Sequence, residues 1–235
     1  MNRLKSFFAV AGALFLGACS QPHLDIFPEL EDPALMAEKL PADALREDVD
    51  ALYNGVVLRH PDISSYADME KLGSAVESLK SSLDKPMTRL EFYTRVGELT
   101  HLFNDGHTLL LWPYPEIQAF EQNGGSLFPF TVFIDENDRI FLNQSFESAD
   151  GRKLHQGMEI LSINGNNNIY WVNHLQRYAS GESELLRKQL IARRLSTYLW
   201  ATSGIADEAD LEIHVDGQDQ ALHITPQDQW HLADQ

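Results

Sequence analysis

The stretch Phe103-Asn104-Asp105-Gly106-His107-Thr108-Leu109-Leu110-Leu111-Trp112 divides the chain, because one hydropathy period ends there and another begins. Upstream, Phe92, Val96, Leu99 and Phe103 recur at three- and four-residue steps, which places them on one face of a helix. That helix opens at Thr88 and Glu91, whose spacing lets each side chain satisfy a backbone donor at the helix start. Downstream, Leu109 to Trp112 reads as extended, and Gly106 permits the chain reversal between the two. The division predicts an α+β protein, with a helical region over 42–112 and a mixed region over 113–235.

Two further helices precede the dividing stretch. Leu45, Val49, Leu52, Val56 and Val57 share a face that stops at His60-Pro61, since proline disfavours helical geometry in the residue before it. Met69, Leu72, Val76, Leu79 and Leu83 form the second face, ending before Lys85-Pro86. Together the three are expected to form a small antiparallel bundle. Beyond residue 112, Phe128–Ile134 and Arg139–Asn143 flank a polar turn and read as a hairpin. Glu159–Ile163 is a strand closed by Asn164-Gly165, and Leu211–Val215 with Ala221–Thr225 form a second hairpin about Asp216-Gly217-Gln218. Tyr170–Tyr178 and Glu184–Trp200 read as inserted helices, and no internal repeat is present.

The amino terminus carries an address. Arg3 and Lys5 precede an apolar run from Phe7 to Leu16 that closes on Gly17 and Ala18, the layout of a secretory signal over 1–18. The run is shorter than the roughly 20 residues a membrane-spanning helix needs. Leu16-Gly17-Ala18-Cys19 resembles the lipobox of bacterial lipoproteins, which makes Cys19 the expected lipidation site and the cell envelope the expected location. Ser20 resembles the pattern for outer-membrane anchoring on the periplasmic side. The other reading of Cys19 is a chance cysteine near an ordinary cleavage site. It is the only cysteine, so no intramolecular disulfide can form. Residues 19–41, rich in Pro, Asp and Glu, are expected to be a flexible spacer. Removing the signal takes two basic residues and no acidic one, moving the formal net charge from −17 to −19. A surface this acidic repels phosphate backbones, which excludes nucleic acid as a partner.

Few residues invite a chemical reading. His107 leaves a tight turn where a helix gives way to an extended segment, and an imidazole titrating near neutrality suits a general base. The plainer reading is that Asp105 caps the turn and His107 packs or hydrogen-bonds structurally. His101, Asp105 and His107 lie close enough in sequence to suggest a metal, yet no further ligand motif follows, so neither metal nor cofactor is assigned. Asn164-Gly165-Asn166-Asn167-Asn168 lacks a phosphate-binding glycine fingerprint, and Ser126 and Ser203 lack a nucleophile's turn context.

Met87-Thr88-Arg89-Leu90-Glu91-Phe92-Tyr93 followed by Asp105-Gly106-His107-Thr108, with His60-Pro61 closing an earlier helix, resembles the amino-terminal helical domain of tail-specific, or C-terminal processing, serine peptidases and their tricorn-core relatives. Gly157-Met158-Glu159-Ile160-Leu161-Ser162-Ile163-Asn164-Gly165 is similar to the strand and turn of the PDZ-type domain in these enzymes, where Gly-Asp is commoner than this Gly157-Met158. The matches cover most of residues 45–225. The resemblance implies a PDZ-like domain with inserted helices over 113–235, and His107 at the position of the base in the tricorn-like branch. It also implies an apolar groove at Gly157, Met158, Ile160 and Leu161 that adds an extended peptide or a protein's carboxyl-terminal tail to a sheet edge. The other reading of those apolar residues is ordinary strand core. In the family a serine nucleophile sits in a crotonase-like domain after the PDZ-like module. This chain reaches Gln235 soon after the last PDZ-like strand, so it is expected to dock peptide and to cleave only if a separately encoded catalytic domain is supplied. The alternative is a non-catalytic, peptide-binding envelope lipoprotein that acts as an adaptor.

Overall fold

The computed structural model describes residues 34–233, so the expected signal segment, Cys19 and most of the spacer lie outside the described residues. The last part of the spacer is ordered. It contains the short helix α1 (Ala34–Ala37), and Leu40 pairs with Met87 through two backbone hydrogen bonds of 2.8 and 3.1 Å.

The chain is α+β, and its helices form where apolar spacing and caps direct them. Helix α2 (Ala42–Arg59) buries Leu45 and Val49 and stops at His60, whose extended backbone is what the following proline requires. Helix α3 (Met69–Ser82) starts where the Asp68 side chain accepts from the Lys71 N–H, and it buries Leu72, Val76 and Leu79. Helix α4 (Arg89–Val96) has both bonds of the expected capping box, Glu91 N–H to Thr88 Oγ1 and Thr88 N–H to Glu91 Oε2. The helix expected to continue to Phe103 instead tightens to a 3-10 helix over Gly97–Phe103. Gly97 lies against the Tyr178 ring, where a Cβ would stand 2.7 Å from a ring carbon, so the absent side chain lets the ring pack on the helix backbone. Each fully buried aliphatic side chain in this core contributes about 1.5–3 kcal/mol.

Past the turn, Thr108–Trp112 is extended but joins no sheet. It keeps the alternation of a strand all the same. Leu110 and Trp112 pack inward while Leu109 and Leu111 are 49% and 44% exposed. A further helix, α5 (Tyr114–Gln122), was not anticipated. Pro113 and Pro115 look like breakers in sequence, but a proline in the first turn of a helix leaves no hydrogen bond unmade.

The rest of the chain builds two antiparallel sheets. The larger has the order β1 (Val132–Ile134), β2 (Ile140–Leu142), β5 (Glu159–Ile163), β7 (Ala209–Val215) and β8 (Gln218–Ile224), with β6 (Asn166–Asn167) paired to β5. The smaller joins β4 (Lys153–Leu154), β3 (Phe146–Glu147) and β9 (His231–Leu232). Both expected hairpins, β1–β2 and β7–β8, form in register. Helix α6 (Asn168–Gln176) is capped by Asn167. The helix expected over Glu184–Trp200 is two, α7 (Glu184–Arg193) and α8 (Leu195–Ser203), broken at Arg194. The break lets α7 pack on β1 while α8 packs on α4, which one straight helix would not do.

Lys188, 6% exposed, fastens α7 to the β1–β2 turn through Asp138 at 2.5 Å and the Glu136 carbonyl at 3.3 Å. The helical half and the sheet half have separate cores, and Tyr93, Ile117, Trp200 and Ala201 form a third cluster between them. Leu110 packs against the helical core and the joining cluster, and Trp112 against the sheet core and the joining cluster. The dividing stretch of the sequence is thus the seam of the fold.

Candidate active site

The seam begins with Asn104 in the left-handed region at φ 52° and leads directly into a buried carboxylate. Asp105 is 4% exposed. Its Oδ2 accepts from Thr108 Oγ1 at 2.7 Å and from His60 Nε2 at 3.1 Å, and its Oδ1 accepts from the His107 N–H at 3.1 Å. The His60 tautomer follows from the backbone. Its Nδ1 accepts from the Asp62 N–H, so Nε2 carries the proton given to Asp105. The Thr108 hydroxyl, and after it the N–H donors of His107 and His60, hold the Asp105 carboxyl well below the usual carboxylate range despite its burial.

Ser180 clasps the same residue from the far side of the seam. The Asp105 N–H donates to Ser180 Oγ at 3.3 Å, and the Ser180 hydroxyl donates to the Asp105 carbonyl at 2.8 Å. The His107 side chain, by contrast, is 95% exposed, with Nδ1 3.5 Å from Asp105 Oδ1. A carboxylate on that side of the ring favours the tautomer with a proton on Nδ1 and a lone pair on Nε2, the form a general base needs. The separation is long for a hydrogen bond. Among the described residues no hydroxyl bonds to the His107 ring.

Two hollows flank the seam. One of about 520 Å³ is lined by Leu52, Val56 and Leu109 together with Arg59, His60, Asp105 and His107, so apolar side chains there meet a guanidinium, two imidazoles and a carboxylate. The other, about 310 Å³, lies between Gly106, Leu111, Tyr178 and Tyr198. Leu109 lines both.

The remaining sequence candidates fall elsewhere. His101 Nδ1 bonds the carbonyls of Glu98 and Arg177, at 2.8 and 3.2 Å, so this ring serves the packing of the 3-10 helix. Among the described residues the grouping of ligand atoms that the fold brings together is Asp105, His107 and Glu182, not His101, Asp105 and His107. Glu182 lies far along the chain from the turn, and no local pattern marks it. Gly157 is in a turn at φ 86°, its N–H bonded to the Leu142 carbonyl. Met158 packs on the sheet core and Ile160 is 1% exposed.

Strand β5, which carries Ile160 and Leu161, is paired with β2 on one side and β7 on the other. A tail cannot add to a strand whose two edges are filled, so the expected groove is not at this strand, and the outer strands of the sheet are β1 and β8. Ser126 and Ser203 lie in a loop and at the end of α8. No helix among the described residues is long and apolar enough to cross a membrane. Compared with known proteins, the chain matches no protein-family model and no curated protein.

Proposed function

We propose that this chain is the base-bearing and substrate-docking portion of a tail-specific serine peptidase, carried on a lipid anchor at Cys19 in the cell envelope. In this reading residues 42–112 are the family's three-helix bundle and residues 113–235 its PDZ-like domain. The observation that carries it is the contrast within one turn. Asp105 is buried and held by donors from three places in the chain, while the His107 ring it faces stands almost wholly in solvent. An imidazole needed only for packing gains nothing from that exposure. One needed to take a proton from a serine hydroxyl on another domain requires it.

The largely apolar hollow beside the ring suits an uncharged side chain of the substrate, with Arg59 among its lining to meet a carboxylate. Peptide addition belongs at the free edge of β1, alongside α7, rather than at β5. The second reading, a peptide-binding adaptor without catalysis, draws on the absence of any hydroxyl bonded to the His107 ring among the described residues.

Calorimetric titration tests the docking half. Free-acid peptides with apolar ends should bind at least tenfold more tightly than their amides, and equal binding of the two removes it. The catalytic half is tested on protein isolated from its native membrane together with whatever accompanies it. There His107→Ala should slow hydrolysis of the same peptide by about 10²–10⁴-fold. Hydrolysis that persists unchanged in that variant overturns the assignment of the base, and binding without hydrolysis in every preparation leaves the adaptor.

A further inference from the structure

We propose that Asp105, His107 and Glu182 form a binding site for a first-row divalent transition metal such as Zn²⁺. One nitrogen of His107 and one oxygen from each carboxylate lie within 4.8 Å of one another. In a zinc site with bonds of about 2.0–2.2 Å, neighbouring ligand atoms stand roughly 3.3–3.6 Å apart. Asp105 Oδ1 and His107 Nδ1 already stand 3.5 Å apart, so closing the group falls to the exposed Glu182 side chain, by roughly 1 Å at most.

Asp105 is the fixed member. The Thr108 hydroxyl and the His60 N–H hold one of its oxygens, so it already points where a ligand is needed. The segments bearing the ligands are fastened together by Ser180, whose hydroxyl both accepts from and donates to the Asp105 backbone two residues before Glu182. Between them lies Gly106. A Cβ there would stand 3.2 Å from Glu182 Oε2, so the absent side chain leaves room for the carboxylate.

The charge balance calls for a cation. Two carboxylates face each other within 4.8 Å, and among the described residues neither forms an ion pair with a lysine or arginine. The nearby Arg187 donates instead to the Gly181 carbonyl at 2.7 Å. One imidazole with two carboxylates favours zinc or its neighbours over calcium or magnesium, which prefer oxygen donors alone. On the peptidase reading, a metal bound there occupies the imidazole and prevents it from taking a proton, so zinc would switch that activity off. The site itself does not depend on that reading.

Titration of the purified full chain with zinc chloride, followed by calorimetry and repeated with Co²⁺ to read its visible absorption, tests the site. One equivalent should bind, with Glu182→Gln weakening the affinity at least tenfold and His107→Ala abolishing that equivalent and the cobalt band. Both substitutions fall on exposed side chains, so circular dichroism should stay unchanged. Unaltered binding in either variant places the metal on other histidines and overturns the proposal, as does the lack of a stoichiometric equivalent in the parent chain. Zinc that binds here yet leaves peptide hydrolysis intact would instead count against His107 as the base.

Discussion

Two aspartates sit at the head of tight turns in this protein, and they have been put to different ends. Asp135 closes the β1–β2 hairpin. Its Oδ1 accepts the N–H groups of Asn137 and Arg139 at 2.8 and 2.9 Å, and its Oδ2 takes the Arg139 guanidinium at 2.7 Å. Burial pulls its carboxyl pKa upward, and the Arg139 N–H and guanidinium with the Asn137 N–H pull it further down. All of those partners lie within the hairpin. Asp105 also accepts from its own turn, but it draws His60 from 45 residues earlier, while Ser180, 75 residues later, holds its backbone. Its remaining reach is toward an exposed ring. A turn that needs only to close satisfies itself locally. One whose carboxylate is braced by His60 and whose backbone is braced by Ser180 is tied into segments far outside the turn.

If that distinction is sound, the largest effect separates the two carboxylates. Asp105→Ala leaves the partly buried N–H of His60 and the Thr108 hydroxyl without their acceptor, and should cost about 3 kcal/mol or more in urea unfolding. Asp135 is 19% exposed at its side chain, and water can replace it. Asp135→Ala should therefore cost about 1–2 kcal/mol. Equal losses would dissolve the comparison.

The second effect is on acid stability. Asp105 and Asp135 both titrate lower in the fold than in the unfolded chain, so the stabilisation they give is complete above about pH 3.9 and is lost as pH falls toward their folded values. The half-buried rings of His101 and His174 are likewise pulled down by burial. A ring kept neutral in the fold contributes fully above about pH 6.5 and less as pH falls below it, because the unfolded chain binds the proton better. Stability measured by urea unfolding should thus decline in two stages, first as pH falls below about 6.5 and again below about pH 4. In Asp105→Asn the lower stage should shrink, and an undiminished one would mean that Asp135 and other carboxylates account for it.

Much of this architecture is legible in the residues. The faces of α2 and α3, the Thr88–Glu91 box and both hairpins follow from local spacing and turn chemistry, which act within a few residues. What escaped depends on packing between distant segments. The tightening at Gly97 answers to Tyr178, the break at Arg194 to two separate packing surfaces, and the unpaired course of Thr108–Trp112 to three cores that meet there. The site divides in the same way. His107 and Asp105 stand out because they share a turn, whereas Glu182 and Ser180 reach it only through the fold. The apolar run at Ile160 is the converse case. The turn signal at Asn164-Gly165 marked where its strand ends, but nothing local tells an outer strand from an inner one, and β5 is inner.

The smallest stability change expected is also the one that bears hardest on the site. His107 touches the fold through its backbone N–H, which any residue but proline retains, and its ring is 95% exposed. His107→Ala should therefore stay within about 0.5 kcal/mol of the parent in urea unfolding, because no buried partner is left unsatisfied. The Asp105 carboxylate would keep His60, Thr108 and the backbone donor, and with them the turn. A loss of 2 kcal/mol or more would mean that the imidazole is part of the brace, and that the turn, like the one at Asp135, exists to close itself. A neutral result leaves Asp105 as a buried carboxylate with long-range support facing a side chain that the fold does not need. That residue is then free to serve chemistry without a cost in stability.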